Sequence, residues 1–161
     1  PPAITAAAEG TIAETCPAGI SIISGIASRI ATHGGGALVI DYGHERSAPG
    51  DTLQAVRNHA FADPFAAPGE ADLTAHVDFE ALAHGVRGGR ATPHGPVGQG
   101  TFLCALGIEA RAGQLARNAS STQREAIGQA LRRLTASDEM GSPFKVLGIT
   151  PPGSQPPAGL S

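Results

Sequence analysis

The feature that most constrains this chain is a short unbroken apolar run, Ala37-Leu38-Val39-Ile40, that stops at Asp41-Tyr42-Gly43. A run of this length without polar alternation suits a strand buried on both faces, as in a parallel sheet covered by helices. Upstream, residues 17–32 place Ile20, Ile23, Ala27 and Ile30 at helical spacing. Pro17 falls at the first helical position, where its missing N–H costs nothing, and His33-Gly34-Gly35-Gly36 stops the helix. Helix, glycine stop and buried strand make half of a β-α-β unit, so the expected class is α/β.

Residues 43–77 keep neither a helical nor a strand period and are punctuated by Pro49-Gly50-Asp51, Asp63-Pro64 and Pro68-Gly69-Glu70. A short helix is expected within 52–59, and Leu53, Val56, Phe61 and Phe65 argue for order in this long segment. A second helix follows, with Phe79, Leu82, Ala83 and Val86 on one face, Asp78 as N-cap, and Gly85 and Gly88-Gly89 ending it. Then come a strand over 91–98 and short helices over 101–106 and 109–117. A helix over 123–134 opens on Thr122-Gln123-Arg124-Glu125 as a capping box and buries Ile127, Ala130, Leu131 and Leu134. A last strand covers 144–149. Residues 1–9 read as a linker remnant and 151–161, rich in Pro, Gly and Ser, as a disordered tail.

At 161 residues the chain amounts to one domain, long enough to bury a core. A net charge of −3 gives no footprint for nucleic acid. No apolar run approaches the roughly 20 residues that span a bilayer. Cys16 and Cys104 form neither a disulfide framework nor a metal-knuckle spacing, which suits a reduced compartment. Cys104 is expected as a small core residue. The first residue is Pro and the only Met is Met140, so the chain is expected to be a piece of a longer protein.

In open α/β sheets, ligands bind beyond the carboxyl ends of the strands, where Asp41-Tyr42-Gly43 falls. Residues 41–78 hold twelve of the thirty-one charged or His residues of the chain. Asp41 at a strand end either orients a ligand or acts as a base, or it caps its own turn. Tyr42, the only Tyr, either stacks on a ligand or is a half-buried aromatic. His76-Val77-Asp78 with His94 has the composition of an iron facial triad, and Asp41, His44 or His59 could join another cluster, although Asp78 suits a helix N-cap better. No Gly-x-Gly-x-x-Gly follows a strand, and there is no phosphate loop or nucleophile elbow.

Taken in order, several segments resemble one family, the MidA-type S-adenosylmethionine-dependent methyltransferases, bacterial relatives of a mitochondrial protein arginine methyltransferase needed for complex I assembly. They are residues 35–43, 51–57 with His59, and 68–79. Gly95-Pro96 follows, with Gln99-Gly100 and Phe102-Leu103, then Leu106-Gly107-Ile108 with Arg111, Arg133-Leu134-Thr135, and Met140-Gly141 with Phe144-Lys145-Val146. The resemblance covers about residues 10–150 and concerns the C-terminal half of a Rossmann-like methyltransferase domain, a mixed sheet flanked by helices. It implies S-adenosyl-L-methionine as cofactor, with the main binding motif upstream of residue 1, and a protein substrate, a respiratory complex I subunit among the candidates.

For a cationic arginine acceptor, carboxylates would orient the guanidinium. The residues expected to act are Asp41 and Asp72 with His76 in support. Tyr42, Gly43, Asp51, Arg57, His59, Thr74 and Asp78 are expected on the substrate side, and no metal is expected. The chain alone is expected to be inactive, in a bacterial cytoplasm, and an exposed sheet edge would favour a homo-oligomer. Two other readings stand beside this one: a metal-dependent hydrolase or oxygenase using the Asp/His-rich segment, and a non-catalytic interaction module.

Overall fold

The computed structural model describes residues 2–160. In chain order the elements are α1 (Pro2–Thr5), α2 (Pro17–His33), β1 (Ala37–His44), β2 (Gln54–Arg57), β3 (Ala60–Ala62), β4 (Asp72–Thr74), β5 (Val77–Asp78), α3 (Phe79–Gly88), β6 (Thr92–Gly98), α4 (Gln99–Ala105), α5 (Ile108–Ala116), α6 (Ser121–Thr135) and β7 (Phe144–Thr150).

The main sheet has the order β5-β1-β7-β6. β1 runs antiparallel to β7, from Ala37 opposite Ile149 to Tyr42 opposite Phe144, and β7 runs antiparallel to β6. Only β5 is parallel to β1, paired at Gly43 with Val77 and at His44 with Asp78. The sheet is therefore mixed, as the resemblance implies.

Helices α2 and α3 cover one face. Their apolar stripes meet the inward side chains of β7: Ile23, Ala27, Ile30 and Val86 pack with Ile149, and Phe79 and Ala83 with Leu147. Gly85 sits inside α3 and does not end it. A Cβ there would lie 2.7 Å from Ile23 Cγ2, so the missing side chain sets the approach of the two helices. The other face is covered near Val146 by Phe102 of α4 and by Leu160. Residues 151–160 carry no helix or strand, yet Leu160 is buried.

Several local expectations change. The stripe expected to be buried on α6 is not: Ile127, Leu131 and Leu134 are only half-buried and Ala130 is exposed. β1 is not buried on both faces: Leu38 and Ile40 are 50% and 48% exposed, because the covering helices reach only the face of Ala37 and Val39. The segment expected as a helix within 52–59 is strand β2, joined to β3 by Asn58 and His59. Both have positive φ, 51° and 62°, as a two-residue type I′ hairpin requires. The resulting small sheet has the order β3-β2-β4. The capping box of α6 is Ser120 with Gln123, two residues earlier than expected. Cys104 is exposed, since α4 buries Gln99, Gly100 and Phe102 instead.

Candidate functional site

At the end of β1, the sheet, the loop 45–53 and β5 converge. The pleat puts Tyr42 and His44 on one face of β1. Tyr42 lies against its cross-strand partner Phe144, ring centroids 5.9 Å apart. His76, between β4 and β5, meets the Tyr42 ring edge-on at 5.1 Å and 79°. The His44 ring lies 6.4 Å from that of His76. Gly43 makes this convergence possible: a Cβ there would sit 2.1 Å from the Val77 carbonyl oxygen.

Two carboxylate clasps hold the cluster from behind. Asp78 caps α3, accepting from the Ala81 N–H at 2.9 Å. Its other oxygen accepts from the Ser47 hydroxyl at 2.6 Å and stands 3.9 Å from His44 Nε2. Ser47 is buried and donates its backbone N–H to Glu80 at 2.8 Å. That N–H is the main reason the Glu80 carboxyl is held below its ordinary value. In the second clasp, Thr52 donates its hydroxyl to Glu14, and its N–H as well, at 2.9 Å. The same hydroxyl oxygen accepts from the His76 N–H at 2.9 Å. The Thr52 hydroxyl is the largest cause of the lowered pKa of Glu14, and the charge of His76 acts in the same direction.

Of the residues expected from sequence, the structure gathers Tyr42, Gly43, His76 and Asp78. Asp41 is exposed on the opposite face of β1, where one oxygen accepts from the Tyr42 N–H at 2.8 Å, the local cap that was the alternative for this residue. Asp72 is exposed on β4, opposite Val56 in the small sheet. Arg57 pairs with Glu70 at 2.6 Å. His59 forms the hairpin turn, Thr74 pairs with Gln54, and Asp51 is exposed at the entrance to β2.

Sequence reasoning missed the clasps. Ser47–Asp78 and Thr52–Glu14 close over 31 and 38 residues, so no local pattern announces them. His44 does carry a signal, since it follows Tyr42 by two and must share its face. Among the described residues, no three His, Cys, Asp or Glu side chains converge to hold a metal. His94, proposed as a third ligand, is on β6 with Nε2 2.8 Å from the Thr150 hydroxyl.

The two direct strand-to-helix turns of the described residues are filled by protein. β5 passes directly into α3 at Asp78, whose carboxylate fills the helix end. β6 passes directly into α4, where the Gly100 N–H donates to the Gly141 carbonyl at 2.9 Å. A Cβ at Gly100 would lie 2.4 Å from the Thr135 carbonyl oxygen, so that turn is packed by protein.

A mixed sheet with an antiparallel β7 inserted between β1 and β6, flanked by helices, defines the class, which the solved structures below share: a methyltransferase-like α/β fold. The family model for S-adenosyl-L-methionine-dependent methyltransferases matches residues 1–97, and the chain belongs to that family. It is 41% identical over 128 residues to the Drosophila melanogaster protein arginine methyltransferase NDUFAF7 homolog, mitochondrial, covering 78% of this chain and 29% of that protein. It is 38% identical over 142 residues to Xenopus tropicalis protein arginine methyltransferase NDUFAF7, covering 86% and 32%.

Two solved structures from Burkholderia thailandensis share the fold. One has a TM-score of 0.74 at 25% identity and covers 95% of this chain and 42% of its own. The other, bound to S-adenosyl-homocysteine, has a TM-score of 0.71 at 26% identity and covers 88% and 36%. The chain thus spans about a third of the length of these curated relatives. Among the described residues no helix is long and apolar enough to cross a membrane.

Proposed function

We propose that this chain supplies the acceptor side of a protein arginine methyltransferase, and that the Tyr42–His76–His44 cluster receives the nitrogen to be methylated. The observation that supports this most is the placement of those three rings together at the end of β1, in a chain of a methyltransferase family. S-adenosyl-L-methionine supplies the methyl group in that family, and neither direct strand-to-helix turn here is open to it. The roles that follow are therefore those of the acceptor side alone.

A guanidinium is planar, cationic and weakly hydrated, so it stacks on aromatic faces and forks onto carboxylates. Tyr42 offers such a face. Asp78 supplies negative charge behind His44, while Ser47 and Ala81 fix its orientation. A nitrogen that gains a methyl group sheds a proton, and an imidazole nitrogen of His76 or His44 accepts it. Asp41 and Asp72 stand outside the cluster. Asp41 faces away from Tyr42 and Asp72 belongs to the small sheet, so any contact with the acceptor would come from parts of the protein substrate beyond the arginine.

The names of the relatives support an arginine of a protein as acceptor. A respiratory complex I subunit is the partner this reading favours, in a bacterial cytoplasm. Nuclear magnetic resonance tests the reading on the chain itself. An arginine-containing peptide should shift the ring signals of Tyr42, His44 and His76, and the same peptide with lysine in place of arginine should not. Equal shifts with both peptides, or shifts confined to the small sheet, would overturn it.

A further inference from the structure

The small sheet turns one face outward. Its middle strand β2 buries Ala55, so Val56 belongs to the opposite face. The register sets Phe61 of β3 on one side of Val56 and Asp72 of β4 on the other. Directly paired residues share a face, so Phe61, Val56 and Asp72 form a row across the three strands. Phe61 is 81% exposed and Asp72 is exposed, while Val56 between them is half-buried.

Val56 and Asp72 also line an open cleft of about 330 Å³, together with Arg57, Asn58 and Glu70. Arg57 pairs with one oxygen of Glu70 at 2.6 Å. Among the described residues, the other Glu70 oxygen and the Asp72 carboxylate have no hydrogen-bond or ion-pair partner. The cleft therefore keeps an uncompensated negative charge. Residues 54–74 as a whole carry three acids, Asp63, Glu70 and Asp72, against Arg57 alone. Neighbouring strands lie about 4.8 Å apart, so Phe61 and Asp72 stand on the order of 10 Å from each other across Val56. A carboxylate and an aromatic ring on either side of an apolar floor complement a long cationic side chain. Its stem covers Val56, and its head meets the carboxylates beside the ring. A second copy of this chain would bring the same negative charge to this face.

We infer that the Phe61–Val56–Asp72 row, with Glu70, is a second cation subsite, which takes a basic residue of the protein substrate about four positions from the arginine that is methylated. The inference rests on the acceptor reading above and adds a determinant of sequence specificity to it. The spacing comes from the backbone. β4 leads from Asp72 towards His76, four residues on, a reach of about 13 Å. A substrate drawn out alongside advances by about the same length per residue. With one side chain at the Tyr42 and His76 rings, the side chain four positions away then reaches Asp72. Among the described elements β4 pairs only with β2, so its outer edge has room for such an extended segment.

The test is a nuclear magnetic resonance titration of this chain with short glycine–serine peptides. One carries a single central arginine. Others carry a second arginine four positions before it, four positions after it, or directly beside it. The expected result is at least fivefold tighter binding for a peptide with the four-residue spacing, with new shifts at Val56, Phe61 and Asp72. Asp72→Asn and Phe61→Ser should each abolish that gain and leave the single-arginine peptide unaffected. Both side chains are exposed, so both variants should fold, and Leu73→Ser, on the other face of β4, should keep the gain. The inference is overturned if the second arginine adds nothing, if it adds as much directly beside the first, or if the gain survives in Asp72→Asn and Phe61→Ser. The two readings fail separately. Ring shifts at Tyr42, His44 and His76 without any gain from the second arginine leave the acceptor reading standing and remove the subsite. A response of Val56, Phe61 and Asp72 while the three rings stay still leaves a cation site and removes the acceptor reading.

Discussion

The Ser47 hydroxyl donates a 2.6 Å hydrogen bond to Asp78, joining the loop after β1 to the cap of α3 across 31 residues of sequence. A part-buried carboxylate oxygen that loses its donor keeps much of its desolvation cost and loses the bond. Ser47→Ala is therefore expected to destabilise the chain by about 1–3 kcal/mol. Chemical denaturation measures the loss, and hydrogen exchange should show it concentrated in 45–53 and the first turn of α3.

Gly43 carries the second prediction. Gly43→Ala places a methyl group where the Val77 carbonyl oxygen now lies, 2.1 Å away, so β5 must move outward. The expected cost is about 1–3 kcal/mol. Because His76 directly precedes β5, the Tyr42 and His76 ring signals should shift in the same variant, whereas Gly113→Ala, with open space around its Cβ, should leave them unchanged.

The clasps also set an acid limit. Glu14 and Glu80 both have pKa values below the ordinary glutamate value of 4.5. A carboxyl with a depressed folded-state pKa stabilises the fold fully above its unfolded value, and that contribution is lost as the pH falls through the folded value. Stability should thus be flat from neutral pH to about 5 and fall below 4.5. Glu14→Gln with Glu80→Gln should lower stability at pH 7 and flatten the acid limb, as denaturation midpoints across pH would record.

Leu160 gives a fourth. It is 6% exposed and packs with Phe102 and Val146. Leu160→Ala should cost about 2–4 kcal/mol, as truncations in a well-packed core do. Ser154→Ala, an exposed change in the same segment, should cost almost nothing. Thermal unfolding of the two variants separates a tail that completes the core from one that merely trails it.

Much of the main sheet was legible because its signals are local. Pro17 and the glycines after His33 bound α2, the stripe Phe79, Ala83 and Val86 marks the buried face of α3, and the apolar run at 37–40 marks β1. The one-sided cover of β1 was not legible, since four apolar residues in a row look the same whether one face or two is buried. The small sheet escaped because its hairpin turns on Asn58-His59. That pair takes up two positive φ values without the Asn-Gly or Asp-Gly signature. In the site, Tyr42 and Asp78 were marked by strand end and cap, whereas Ser47, Thr52 and Glu14 act across long sequence distances. Asp41 looked like a site acid because a strand end is where ligands bind. The pleat turns it to the opposite face, and the Tyr42 N–H donates to one of its oxygens.

The most direct measurement of the central claim is methyl transfer by the whole enzyme that contains this chain, using isotopically labelled S-adenosyl-L-methionine and an arginine peptide. His76→Ala and Tyr42→Ala should each lower kcat roughly 100-fold or more while leaving cofactor affinity within a factor of two. Undiminished turnover in both variants, or a loss explained wholly by weaker cofactor binding, would contradict an acceptor site at the end of β1.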